Sequence, residues 1–424
     1  MTFIDLTDSS DLIITPNFIG VPNLEKLVLV RCTNLRKFHP SIRILKNLIH
    51  LNLQDCERLI RLPRKFGIES PMTLELSNCS KRKENPKFVV NKEFLREILL
   101  DCTTVVELIK NSPENLWIVK GLEVLDLSKA DIEELTSPIE RLTKLTSLTL
   151  RYCRNLVCLP NTIFGLKLLN STDLFGCLKF GNLPKNIGNV KGLELLNLCW
   201  TAITEVSSCI VLLKNLKHLY ICRWKLSESY SLLISLELMG LVLPSLISAS
   251  HMKAIILHQT SSEYVSIQRV TQPLLSSLLG IQSLTNLHLS DLDLLSIPDD
   301  IGCLSSLEHL NLSGNLFVSL PKSMSQLSNL QRLHLECCRR LESLGNVPLT
   351  IDFVIANHCG SLKRLPELQF YPFMSDHPHL NFQCVNCFKL ADYIQSSDNI
   401  LQLSLSLSLS LNINYALYIL GTMW

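Results

Sequence analysis

The run Leu307-Glu-His-Leu310-Asn-Leu312-Ser-Gly-Asn315-Leu-Phe317-Val-Ser-Leu320-Pro321 recurs, imperfectly, along most of the chain. Leu310 and Leu312 stand two apart, so on a strand both point to one side while Asn311 and its neighbours point to the other. The apolar residues that follow bring the chain back over the same core, and Leu-Pro opens a return arm that cannot rejoin the sheet. One such unit cannot bury its own leucines. Stacked copies can, and the expected product is a solenoid with one parallel strand per turn.

Leading apolar positions recur at Leu24, Leu48, Pro71, Leu95, Leu122, Leu145, Leu169, Leu193 and Leu216, then at Leu284, Leu307 and Leu330, with a shortened copy starting at Ile351. Most steps are 23 or 24 residues. The first copy is under way at residue 1, through Ile4, Leu6 and Leu12, with no amphipathic segment before it, which suggests a piece of a longer protein or a cap elsewhere. Between about Leu226 and Gly280 the period is lost, although Leu233, Leu236, Leu238, Leu241 and Leu243 keep a fragment of strand spacing. Pro244, Pro273 and a polar stretch from Gln259 to Glu263 favour an excursion from the rod over two hidden turns.

The expected fold class is an α/β solenoid, a leucine-rich repeat horseshoe of about 13–14 rungs with parallel strands on its concave face. Its parts are a first block of repeats at 1–226, an irregular insertion at 227–280, a second block at 281–367 and a partial β-type tail at 368–424. The tail holds Cys384, Cys387 and a Leu-Ser alternation over 401–411. That alternation reads as a strand, and its serines argue against a membrane helix. Residues 399–424 nevertheless carry no charge, so a low-complexity end or a membrane segment stays open.

Composition excludes little else. Lys+Arg 40 against Asp+Glu 38 leaves no basic field to draw nucleic acid. Among 16 cysteines, Cys32, Cys56, Cys79, Cys153, Cys177, Cys338 and Cys359 each follow the last strand apolar residue of a repeat, leucine in all but the final case, by three residues. That places them as small buried hydrophobes that need no bridge, in a reducing compartment. No phosphate-cradling glycine loop occurs, so neither cofactor nor nucleotide is expected. His377, His379, Cys384 and Cys387 are the residues of zinc-ligating type, but their spacing suits packing better. His50, His218, His288, His309 and His334 recur near strand leucines and read as solvated strand positions, because no nucleophile and carboxylate keep step with them. The chain is expected not to be an enzyme and to take no small-molecule substrate.

The cysteine-type repeat Leu51-Asn-Leu53-Gln-Asp-Cys56-Glu-Arg-Leu59, alternating with the shorter form at Leu196 to Val206, resembles the leucine-rich region of plant intracellular immune receptors. Phe3-Ile-Asp-Leu-Thr-Asp with Pro22-Asn-Leu-Glu-Lys-Leu27 is similar to the opening of that region in receptors with a Toll/interleukin-1-receptor-like domain, and Asn386-Cys-Phe-Lys-Leu390 to the start of the jelly-roll-type domain that follows it. The Leu-Ser tract departs from the family pattern. The resemblance implies a cytoplasmic or nuclear module of plant defence that binds a pathogen effector, a guarded host protein or other domains of its parent receptor, and restrains a signalling switch. A generic intracellular scaffold for signalling proteins is the alternative. On the concave face, Arg151, Tyr152, Phe175, Trp200, Tyr220 and Arg223 fall on neighbouring repeats and form the expected protein-binding patch, since aromatic and arginine side chains dominate interface energetics.

Overall fold

The computed structural model describes residues 1–59, 70–79, 95–100, 119–135, 137–203, 208–223, 278, 280–348, 351–365 and 381–390. Among the described residues, fifteen short strands, in chain order, make one parallel sheet. They are β1 (Phe3–Asp5), β2 (Lys26–Val28), β3 (His50–Asn52), β4 (Met72–Glu75), β5 (Leu95–Leu99), β6 (Val124–Asp126), β7 (Ser147–Thr149), β8 (Ser171–Asp173), β9 (Leu195–Asn197), β10 (His218–Tyr220), β11 (Asn286–His288), β12 (His309–Asn311), β13 (Arg332–His334), β14 (Phe353–Ile355) and β15 (Asn381–Gln383). The register is the one the repeat demands, with the central leucines Leu287, Leu310 and Leu333 side by side.

All the predicted inward positions tested by Leu51, Leu53, Leu148, Leu150, Leu310 and Leu312 are fully buried, in one hydrophobic cluster that runs from Phe18 to Leu390. Return arms are short 3-10 turns such as Asn161–Gly165, Asp299–Cys303 and Lys322–Gln326. Each of these three is preceded by a proline, Pro160, Pro298 or Pro321, whose φ near −65° holds the extended entry to the turn. Helix content is therefore low, because a turn of this length leaves no room for a longer helix.

The turn out of each strand is also regular. Two residues past the last strand-side apolar residue, the backbone enters the left-handed region at Asp8, Asp55, Asn78, Asp291, Gly314 and Asn386, residue types that accept it. Gly314, at φ 70°, is required for a second reason, since a Cβ there would sit 2.0 Å from Asp291 Oδ1. One residue later comes the cysteine position. The thiols of Cys56, Cys153, Cys177 and Cys338 donate back to the carbonyls of Leu29, Leu127, Leu150 and Leu312 at 3.0 to 3.3 Å. Cys32, Cys79 and Cys359 do the same to Leu6, Leu53 and Leu335. The cysteines are thus packed and also tie each rung to the one before it.

Two points differ from expectation. Cys199 and Cys222 are joined in a disulfide, with Cα atoms 4.4 Å apart. They directly follow the last strand-side apolar residues Leu198 and Ile221 on adjacent rungs, where side chains lie beside the previous rung's equivalent and sulfur can meet sulfur. Residues 381–390 carry one more rung, with β15 paired to β14 and Cys387 donating to the Ala356 carbonyl at 3.0 Å. β10 and β11 pair directly, His218 opposite Asn286. The expected insertion lies outside the described residues except at 278 and 280, as do His377, His379 and the Leu-Ser tract.

Candidate protein-recognition face

The residues on either side of each strand's central apolar residue, such as Leu74, Ile98 or Leu310, face away from the core. On β4, β5, β6 and β8 these include Glu75, Glu97, Asp126 and Asp173; on β10 to β13 they are His218, Tyr220, Asn286, His288, His309, Asn311, Arg332 and His334. No helix covers this face among the described residues.

Of the expected patch, Arg151, Tyr152, Phe175, Trp200 and Tyr220 come together, though not as a row on the strands, while Arg223 faces Asp293. Only Tyr220 lies on a strand; the other five occupy the two turn positions that follow one. Tyr152 and Trp200 both sit at the left-handed position, with φ 58° and 57°. That conformation is uncommon for large side chains, and it lays each ring against its neighbours. Tyr152 stands edge-on to Phe175 at 5.2 Å between ring centres, and Phe175 packs on Trp200 at 4.5 Å. Arg151 lies over the Phe175 ring at 5.1 Å. The ring of Tyr152 lies where a Cβ at Gly176 would be, 2.7 Å from its Cδ1, so this rung takes glycine. Phe175 and Trp200 are buried, together with Cys199, in a small cluster of their own, against which Tyr152, Tyr220 and Cys222 pack half-buried. What faces solvent is Arg151, Tyr152, Tyr220 and Arg223, on a floor of Phe175 and Trp200. Beneath them, burial pushes the Asp173 carboxyl above its ordinary range against the pull of Arg151, 3.8 Å away.

The histidines are strand residues as expected, but they are not solvated. His218, His288, His309 and His334 are all half-buried. Burial, aided by His334 and His309, lowers His288 to about 3. Burial, with His309 and Arg332, lowers His334 to about 4. Both remain neutral in the fold at pH values where the unfolded chain's imidazoles take up protons. Stability is therefore full above pH 6.5 and falls as pH drops towards 4 and then 3. Each unit below 6.5 costs about 1.4 kcal/mol per such group. Between pH 7 and pH 5 the loss should reach at most about 4 kcal/mol, less for the exposure both rings keep. Thermal melting at the two pH values measures it. A His288→Gln, His334→Gln variant should show a smaller drop than the parent chain.

Among the described residues, no group of three or more His, Cys, Asp and Glu is arranged to hold a metal, and no helix is long and apolar enough to cross a membrane. What the face can do chemically is contact: it is broad, repeated in framework and varied in its outward side chains.

The leucine rich repeat family matches residues 282–339. The disease resistance-like protein DSC1 of Arabidopsis thaliana is 31% identical over 397 residues, covering 94% of this chain and 27% of that protein. TMV resistance protein N of Nicotiana glutinosa is 32% identical over 214 residues, 50% of this chain and 16% of that protein. The chain thus spans about a quarter or less of the length of these relatives. A solved leucine-rich repeat protein of Leptospira interrogans, LIC12759, aligns with 84% of this chain and 90% of its own, at 24% identity and a TM-score of 0.45. The chain is a leucine-rich repeat array similar to the matching region of plant disease resistance proteins.

Proposed function

We propose that this array is the recognition module of a plant innate immune receptor. It contacts a pathogen effector, or a host protein that an effector attacks, and restrains a signalling switch carried by other parts of the parent protein. One observation carries the reading: a single framework of buried leucines and cysteines presents outward side chains that differ from rung to rung, which is how a repeat surface acquires a specific partner. Sequence similarity to disease resistance proteins over 94% of the chain supports it. Arg151, Tyr152, Tyr220 and Arg223, with Phe175 and Trp200 as their floor, form one part of the contact surface. The buried free thiols suit the reducing cytoplasm, with the nucleus as a second compartment.

Photo-crosslinking in challenged plant tissue tests the reading. A benzophenone side chain placed at Arg151 or Tyr220 of the parent receptor should yield an adduct to another protein, the same one from both positions. Ser325 and Asn329, on the opposite side of the rod, should yield none. Adducts from Ser325 and Asn329 alone would contradict it.

A further inference from the structure

The outward columns of the sheet are divided by charge. The half from β4 to β8 carries Glu75, Glu97, Asp126 and Asp173, whereas the columns on β10 to β13 carry no carboxylate at all. In their place stand His218 and His309 in one column and His288 and His334 in the other, with Arg332 as the one permanent cation. Tyr220 meets the His288 ring at 4.8 Å. The Nδ1 atoms of His218 and His334 are shut off from solvent without a hydrogen-bond partner among the described residues. Carboxylates approach this field only at its margins. Glu194 is paired with Lys217 at 2.9 Å. Glu308 precedes β12 and faces His309 and His218. Glu336 follows β13 and accepts from Asn357 at 3.3 Å. Asp291 and Asp293 follow β11, the second facing Arg223.

We propose that the face formed by His218, Tyr220, His288, His309, Arg332 and His334 docks an acidic segment of a partner protein. The inference rests on the recognition reading above and adds the chemistry of what is recognised. Four rungs span about 14 Å, the length of about four residues of extended chain. Charge complementarity selects the partner. Nucleic acid is held by permanent cations on successive phosphates, and here one arginine stands among four imidazoles. A carboxylate suits imidazoles better, because each can take up a proton as the acid arrives.

Burial and mutual repulsion hold these rings neutral in the free chain. An incoming carboxylate opposes both effects and favours the charged ring. Docking then takes up protons, so affinity rises as pH falls, by up to about tenfold per pH unit for each proton bound.

The test is titration of the whole chain with a seven-residue peptide alternating glycine and glutamate, at pH 7.5 and pH 6.0, in buffers of different ionisation enthalpy. Binding about tenfold tighter at pH 6.0, with protons taken up from the buffer, is the expected result. His288→Gln with His334→Gln should markedly reduce the pH dependence, and Glu97→Gln on the acidic half should leave it intact. Should the double variant fail to fold, Arg332→Gln, at an exposed side chain, should still weaken the peptide about tenfold. Equal affinity for a lysine peptide, equal or tighter binding of an oligothymidylate, or binding without pH dependence would overturn the proposal. If the glutamate peptide fails while crosslinks form from Arg151 and Tyr220, this inference alone is lost and the recognition reading stands.

Discussion

Replacing Leu310 with alanine should destabilise the array by about 2–5 kcal/mol, the cost of emptying a packed apolar site that cannot collapse. Leu310 is fully buried at the centre of β12 and lies between Leu287 and Leu333 on the flanking strands. Its neighbours belong to a stack, so the hole cannot be filled without shifting a whole rung. Replacing the half-exposed neighbour His309 with alanine should cost well under half as much. Chemical denaturation of the two variants side by side measures the contrast. Equal losses would mean that the inward and outward assignments on β12 are wrong.

A comparable effect is expected at Asn315, for a polar reason. Its side chain is completely buried at the position where other rungs carry cysteine. The carboxamide oxygen accepts from the backbone amides of Leu292 and Leu294, both at 3.1 Å. Its nitrogen donates to the carbonyls of Leu289 and Leu312 at 2.7 and 2.8 Å. Alanine there leaves buried backbone groups on two rungs without partners, each costing about 1–3 kcal/mol, so a loss of about 3–5 kcal/mol is expected. Cysteine should cost less than alanine, because Cys338 on the next rung makes the same backward bond, to Leu312 at 3.3 Å. Denaturation of Asn315→Ala and Asn315→Cys tests the order. If cysteine is no better than alanine, the backward bond from the thiol is not what ties the rungs together.

The core was legible because its signal is a period of two repeated along the chain: Leu51 and Leu53, or Leu310 and Leu312, announce their direction by spacing alone. The core cysteines were legible for the same reason, since a residue at one fixed place in many rungs shares one environment. The surroundings of Trp200 were not. Trp200 stands two places past the inward Leu198, so strict alternation would send it into the core, but the left-handed turn there lays its ring on Phe175 outside that core. Asp8, Asp55, Asn78 and Gly314 mark that turn elsewhere in the chain, so the conformation was present as a column of turn-forming residues. Cys199 and Cys222 escaped because a pairing between adjacent rungs has no sequence mark that distinguishes it from two packed thiols. The half-buried state of His288 and His334 follows from the side chains on the neighbouring strands and not from their own position in the repeat.

The continuity of the proposed recognition face depends on β10 and β11 being neighbours, although residues 221–285 separate them in sequence. Peptide mapping by mass spectrometry after mild oxidation of a His218→Cys, Asn286→Cys variant tests this directly. The register His218 opposite Asn286 predicts a bridge between those positions, and none in the control His218→Cys, Asn311→Cys, which is displaced by a further rung. Absence of the first bridge would place other strands between β10 and β11 and divide the face in two.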